Sequence, residues 1–242
     1  MHGPMQPASG PNASRRGPSD FAVASLREHL AAAGADPETA GNTAAAAEIE
    51  RGCFAPFVPT SPEQFARLVG LGSILGTDMV CDLGFGDGAL LCGMIQLANC
   101  KGCGCEIDSN LVTSAHALAA SSGIGLDRIT LTESGIARYV LSDDFRAATV
   151  IVCFLVPPQL KELVPLFEIA MAAGVRIITQ RYQIPGLAPL RSLDAGARLS
   201  DGVARPDAFG WISEIEELKA TQATQEMYFA DQGRAFLYSH GP

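Results

Sequence analysis

The chain has 242 residues, 48% apolar and 18% charged, enough for a full hydrophobic core in one main domain with N-terminal additions. Its net charge of -9 argues against the basic face that a nucleic-acid backbone demands, so no nucleic-acid partner is expected. Its seven cysteines lack the regular spacing of a secreted disulfide framework, and no stretch approaches the roughly 18 apolar residues of a membrane span.

A soluble chain in a reducing compartment is therefore expected, cytoplasmic in the first instance. Residues 1–19 carry Arg15 and Arg16, several serines and no acid, which keeps a mitochondrial location as the alternative. Their Pro/Gly/Ser content predicts a disordered tail. Residues 20–33 and 37–50 have helical spacing and composition, and 51–61 carry prolines that favour an extended segment, so 20–61 reads as two helices and a covering strap before the main domain of 62–242.

The main domain alternates strands and helices. A helix is predicted over 62–71, a doubly buried strand over 79–81, a helix over 89–97 and a strand over 101–105 ending in Glu106. Further on come a helix at 110–122, a strand at 128–132 ending in Glu133, a strand at 148–154, a helix at 158–172 and a strand at 175–180. Residues 226–230 and 234–239 flank Asp231-Gln232-Gly233 and predict an antiparallel hairpin. Cys100, Cys103 and Cys105 fall on or beside a predicted strand with no second Cys/His pair, so core packing is expected rather than a metal site. The paired acids Asp143 and Asp144 read as a solvated surface, or as an acidic rim drawing a lysine-bearing partner.

The chemistry lies where the first strand meets Asp82-Leu83-Gly84-Phe85-Gly86-Asp87-Gly88. Gly84, Gly86 and Gly88 can take positive φ and let a ligand approach bare backbone, while the following helix aims free N–H groups at it. Glu106 supplies an acceptor where a ribose would lie. The same spacing satisfies the dinucleotide fingerprint, in which a pyrophosphate rests on the helix N-terminus. Asp82 and Asp87 would repel a pyrophosphate, whereas the ammonium and sulfonium of S-adenosylmethionine would be attracted to them. The turn and the terminal hairpin therefore favour S-adenosylmethionine as cofactor. An NAD(P)-dependent oxidoreductase and a non-catalytic methyltransferase-like binding module are the alternatives.

The sequence also resembles a branch of the class I methyltransferases, the lysine N-methyltransferases that modify ATP-synthase subunit c and the adenine nucleotide translocase. The resemblance rests on Pro56-Phe57-Val58-Pro59-Thr60 with Gln64, the glycine turn, Gly104-x-Glu106-Ile107-Asp108, Phe154-Leu155-Val156-Pro157, and Tyr182-Gln183-Ile184-Pro185-Gly186. It implies a Rossmann-like, mostly parallel seven-stranded sheet closed by an antiparallel hairpin, and methyl transfer to a protein lysine by in-line displacement. It further implies that Asp82, Gly84, Gly86 and Gly88 surround the methionine part of the cofactor, and Phe85 and Asp87 of the same turn join the expected cofactor-binding set. Glu106 would hold the ribose hydroxyls, with Ile107 next to it also in the cofactor-binding set, Glu133 or Ser134 would sit near the adenine, and Thr60 and Gln64 would belong to a lid. Phe154 and Pro157 would line the acceptor entrance. Tyr182, just past the fifth strand, is a further acceptor-site candidate by its position alone. The turn departs from the family in carrying Phe85 where a small residue is usual. Val156 replaces the Asn of the Asn-Pro-Pro-aromatic motif that grips planar amines, which fits an aliphatic amine better. His116 and Tyr139 read as structural.

Overall fold

A computed structural model describes residues 58–193 and 234–239 of the chain. The expected tail, the two N-terminal helices, most of the covering strap and the segment 226–233 lie outside the described residues.

Seven strands form one sheet in the order β3-β2-β1-β4-β5-β7-β6. They are β1 (Met79–Leu83), β2 (Lys101–Glu106), β3 (Ile129–Glu133), β4 (Val150–Cys153), β5 (Arg176–Gln180), β6 (Arg191–Leu193) and β7 (Ala235–Tyr238). The first five are parallel and β7 runs antiparallel to β5. Strands buried on both faces need apolar side chains on both, and the sequence supplies them. Cys81, Leu83, Ile151, Cys153 and Ile177 enter one core layer, while Val80, Val150, Val152 and Ile178 enter the other. The six described cysteines are free and buried, so they pack as small apolar groups. No group of side chains among the described residues could hold a metal ion.

Helices α1 (Pro62–Gly72), α2 (Ala89–Ala98) and α3 (Ser109–Ser121) precede β1, β2 and β3. Pro62 begins α1, where a missing N–H costs nothing, and Asp108 starts α3 by accepting from the N–H groups of Asn110 and Leu111. Two short helices, α4 (Ile136–Tyr139) and α5 (Asp143–Arg146), lead into β4. The single helix expected at 158–172 is two, α6 (Pro157–Glu162) and α7 (Val164–Ala172), because Pro165 has no N–H to continue the ladder.

The sheet closes antiparallel, as expected. Over Ala235–Tyr238, β7 has β5 on one edge and β6, Arg191–Leu193, on the other, while the 226–230 arm of the expected hairpin lies outside the described residues. Asp143 and Asp144 are exposed and sit just before β4 begins, toward the sheet edge opposite the glycine turn. They are a solvated surface, with Asp143 paired to Arg146 at 2.7 Å.

At that far edge Asp78 ties four elements together. It accepts from the Leu75 N–H at 2.8 Å, from the Thr149 hydroxyl at 2.8 Å and from the Arg176 guanidinium at 2.5 Å. Burial opposes its ionisation, but these donors outweigh it and hold the carboxyl below its ordinary range. Arg176 also donates to the carbonyls of Gly72 and Ser73, fixing the C-terminal end of α1 over the start of β5. The N-terminal end of α1 therefore points to the opposite edge of the sheet, where the glycine turn lies.

Candidate cofactor site

The turn is built from backbone that only glycine accepts at several points. Gly84, Gly86 and Gly88 have φ of 83°, 58° and 78°. The N–H groups of Gly84 and Phe85 donate to the Cys105 carbonyl at 2.8 and 3.1 Å, locking the turn onto the end of β2. That approach requires a bare neighbour. A Cβ on Gly104 would lie 2.5 Å from the Asp82 carbonyl oxygen, so β1 and β2 could not close.

Gly88 starts α2 and packs on α3. A Cβ there would lie 2.8 Å from the Ala115 Cβ and 3.2 Å from its Cα. Replacement of Gly88 by Ala combines left-handed strain with this overlap, so a stability loss of about 3 kcal/mol is expected. Urea denaturation monitored by circular dichroism measures it.

Glu106 organises the turn from the next strand. Its Oε2 accepts from the Gly86 N–H at 3.0 Å, and Oε1 accepts from the N–H groups of Ile107 and Asp108 at 2.7 and 3.0 Å. A carboxylate has about four acceptor positions, so Oε2 keeps room for one hydroxyl. Asp87 caps α2 by accepting from the Ala89 N–H at 3.0 Å. Burial raises its carboxyl, partly offset by that N–H.

Asp82 is different. Its side chain is 3% exposed, and none of the described residues donates a hydrogen bond to it or pairs with it. Burial first, then the charges of Glu106 and Asp87, push its pKa up to about 8. A buried carboxylate without a counter-charge is costly alone and becomes favourable against a cation. A pyrophosphate would meet three acids here, whereas a sulfonium or ammonium would meet the charge they lack.

The other sequence-derived residues fall as follows. Thr60 and Gln64 are buried, Thr60 just before α1 and Gln64 in its first turn. Phe85 is 4% exposed, and its ring packs with Val112, Ala115 and Leu131, which leaves its backbone to the turn. Ile107 stands 41% exposed beside Glu106, where a flat apolar group could cover it. Glu133 is exposed at the end of β3 and Ser134 is half-buried, its N–H on the Glu106 carbonyl at 2.9 Å. Phe154 is half-buried and Pro157 exposed beyond β4. Tyr182 is half-buried past β5, with the Arg181 guanidinium 5.2 Å from its ring centroid. His116 is exposed, and Tyr139 is buried against Phe145 in an edge-to-face contact.

Sequence reasoning passed over Gln180, the last residue of β5. It is 1% exposed, and its Nε2 has no hydrogen-bond partner among the described residues. The available signal was a polar residue at the carboxyl end of a central strand, where open α/β sheets bind ligands.

Strand order, the parallel core and the antiparallel pair at β7 and β6 make this the Rossmann-like fold of class I methyltransferases. A crystal structure of an RNA methyltransferase from Salinibacter ruber in complex with S-adenosyl-L-homocysteine shares the fold, with a TM-score of 0.52 at 23% identity over 61% of this chain and 100% of that one. A protein-lysine N-methyltransferase of Saccharolobus islandicus (strain REY15A) is 27% identical over 135 residues, 55% of this chain and 81% of that protein. A SAM-dependent methyltransferase from Thiobacillus denitrificans, also with S-adenosyl-L-homocysteine, aligns at a TM-score of 0.44 and 19% identity over 72% of this chain and 67% of that one. No protein-family model matches the chain. Among the described residues no helix is long and apolar enough to cross a membrane.

Proposed function

We propose that the chain is an S-adenosylmethionine-dependent N-methyltransferase acting on a protein lysine. The observation that carries this reading is Asp82, a buried carboxyl without a counter-charge beside a turn of three positive-φ glycines. The donor set fits the cofactor, since acids face its cationic end and Glu106 Oε2 keeps an acceptor position for a ribose hydroxyl. When bound, S-adenosylmethionine supplies an electrophilic methyl group whose departure leaves a neutral thioether. In this reading Asp82 and the glycine turn hold the cationic end, Glu106 the ribose, and Glu133 or Ser134 the adenine side, with Ile107 exposed beside Glu106 to cover the cofactor. Thr60 and Gln64 close over the cofactor.

The protein's contribution to displacement is alignment and exclusion of water. An aliphatic amine must arrive neutral, which desolvation favours. The loop after β4 suits that task, because Phe154, Leu155, Val156 and Pro157 offer no side-chain hydrogen-bonding group, and the Val156 N–H is occupied by Gln159 Oε1 at 3.3 Å. A planar base or amide needs a side-chain acceptor at that point. Likeness to a protein-lysine N-methyltransferase supports the lysine reading, and the acidic net charge agrees with a protein partner rather than RNA.

The test is transfer of labelled methyl from S-adenosylmethionine to lysate proteins by the full chain, followed by mass spectrometry of the labelled band. Methyl-lysine is expected, with labelling lost in Asp82→Ala. Label in RNA alone would move the reading to a nucleic-acid acceptor, and no label with intact cofactor binding would favour a binding module.

A further inference from the structure

Two buried amides sit at the same corner of the sheet as Asp82. Along β5, Ile178 packs in the layer that holds α1 while Ile177 packs in the opposite one, so alternation places Gln180 on the α1 face. Asp82 shares its parity with Val80 and lies on that same face. Leu83 pairs with Cys153, and Cys153 with Thr179. Gln180 is therefore level with Gly84, two strand spacings away, or about 10 Å. Helix α1 runs antiparallel to β5, which brings Gln64 of its first turn to this edge.

Both side chains are nearly fully buried, at 4% for Gln64 and 1% for Gln180. Both have an Nε2 without a hydrogen-bond partner among the described residues. Gln64's orientation is fixed, because Arg67 donates to its Oε1 at 3.1 Å and turns the amide nitrogen the other way. A buried donor left unmade is destabilising, and two at one corner call for an acceptor that a ligand brings. The acids at Asp82, Asp87 and Glu106 can face a cation or accept from a hydroxyl, but they offer nothing to an anion. A zwitterionic amino-acid group whose ammonium lies toward Asp82 has its carboxylate left to satisfy, and the glutamine amides are donors for it.

We propose that Gln180, with Gln64, is the anchor for the α-carboxylate of the cofactor's amino-acid moiety. This rests on the S-adenosylmethionine reading and adds a binding residue on β5. Binding removes two buried unpaired donors and spans the gap from Asp82 to β5.

The test uses the full chain, isothermal titration calorimetry and thermal melting, with S-adenosylhomocysteine and 5′-methylthioadenosine, which lacks the amino-acid group. Gln180→Leu is expected to weaken S-adenosylhomocysteine about tenfold, Gln180→Glu more, and methylthioadenosine by neither. Without ligand, Gln180→Leu should melt at or above the wild-type temperature, since it removes an unpaired donor. Equal weakening of both ligands, no weakening of either, or a destabilised ligand-free Gln180→Leu whose Gln180→Glu counterpart binds S-adenosylhomocysteine normally would each overturn the proposal. Failure of the wild type to bind S-adenosylhomocysteine would strike the functional reading itself, a different outcome.

Discussion

Glu106→Ala should weaken S-adenosylhomocysteine binding about 100-fold or more. The carboxylate accepts three backbone N–H groups, from Gly86, Ile107 and Asp108, and thereby holds the glycine turn against the end of β2. Hydrogen bonds to a charged acceptor contribute about 1.5–3 kcal/mol each, and tenfold in affinity is about 1.4 kcal/mol. Loss of the turn geometry together with a ribose contact therefore exceeds two decades. Glu106→Gln separates these contributions. Its single carbonyl oxygen can keep Ile107 and Asp108, but its NH2 then faces the Gly86 N–H, donor against donor, so a loss of about tenfold is expected. Titration calorimetry of both variants measures the pair. Equal affinities for Glu106→Ala and wild type would remove Glu106 from the site.

The second large effect is in pH. Asp82 has a pKa of about 8 in the folded chain, raised by burial and by Glu106 and Asp87, against about 3.9 for an unperturbed aspartate. Between those values the folded state holds a proton that the unfolded state has lost. Stability of the ligand-free protein from this group is thus full below about pH 4 and is lost as pH rises through about 8. Asp82→Asn, which cannot ionise, should melt at a higher temperature than wild type at pH 8.5. A cation bound beside Asp82 favours the ionised form, so binding releases a proton below pH 8. Affinity for S-adenosylhomocysteine should rise by up to about 20-fold between pH 6.5 and 8.5, and Asp82→Asn should flatten that rise. Calorimetry in buffers of different ionisation enthalpy counts the proton directly. A pH-independent affinity with no proton released would show that Asp82 is ionised before the ligand arrives.

The parallel core and the glycine turn were legible in the sequence because their signals are local. Met79 to Cys81 and Val150 to Cys153 are short apolar runs, and the turn's glycines and acids lie within seven residues of one another. β6 was not legible. Arg191-Ser192-Leu193 is three residues long, with two exposed side chains, and it is a strand only because β7 offers an open edge. The same distance in sequence hid Gln180, whose isolation depends on α1 lying over β5, over a hundred residues downstream. Phe85 shows the converse. Its place in the turn suggested a ligand contact, while its ring settles in the apolar gap beside Ala115. The division of 158–172 was present in the sequence as Pro165, but the apolar composition on both sides reads as one continuous helix.

Everything proposed for the site depends on the cationic donor that Asp82 awaits. Titration calorimetry of the full chain with S-adenosylhomocysteine and, separately, with NADH compares the two ligands that the glycine turn admits. The site geometry predicts saturable binding of S-adenosylhomocysteine, lost in Asp82→Ala, and no heat from NADH. Binding of NADH without S-adenosylhomocysteine would contradict it.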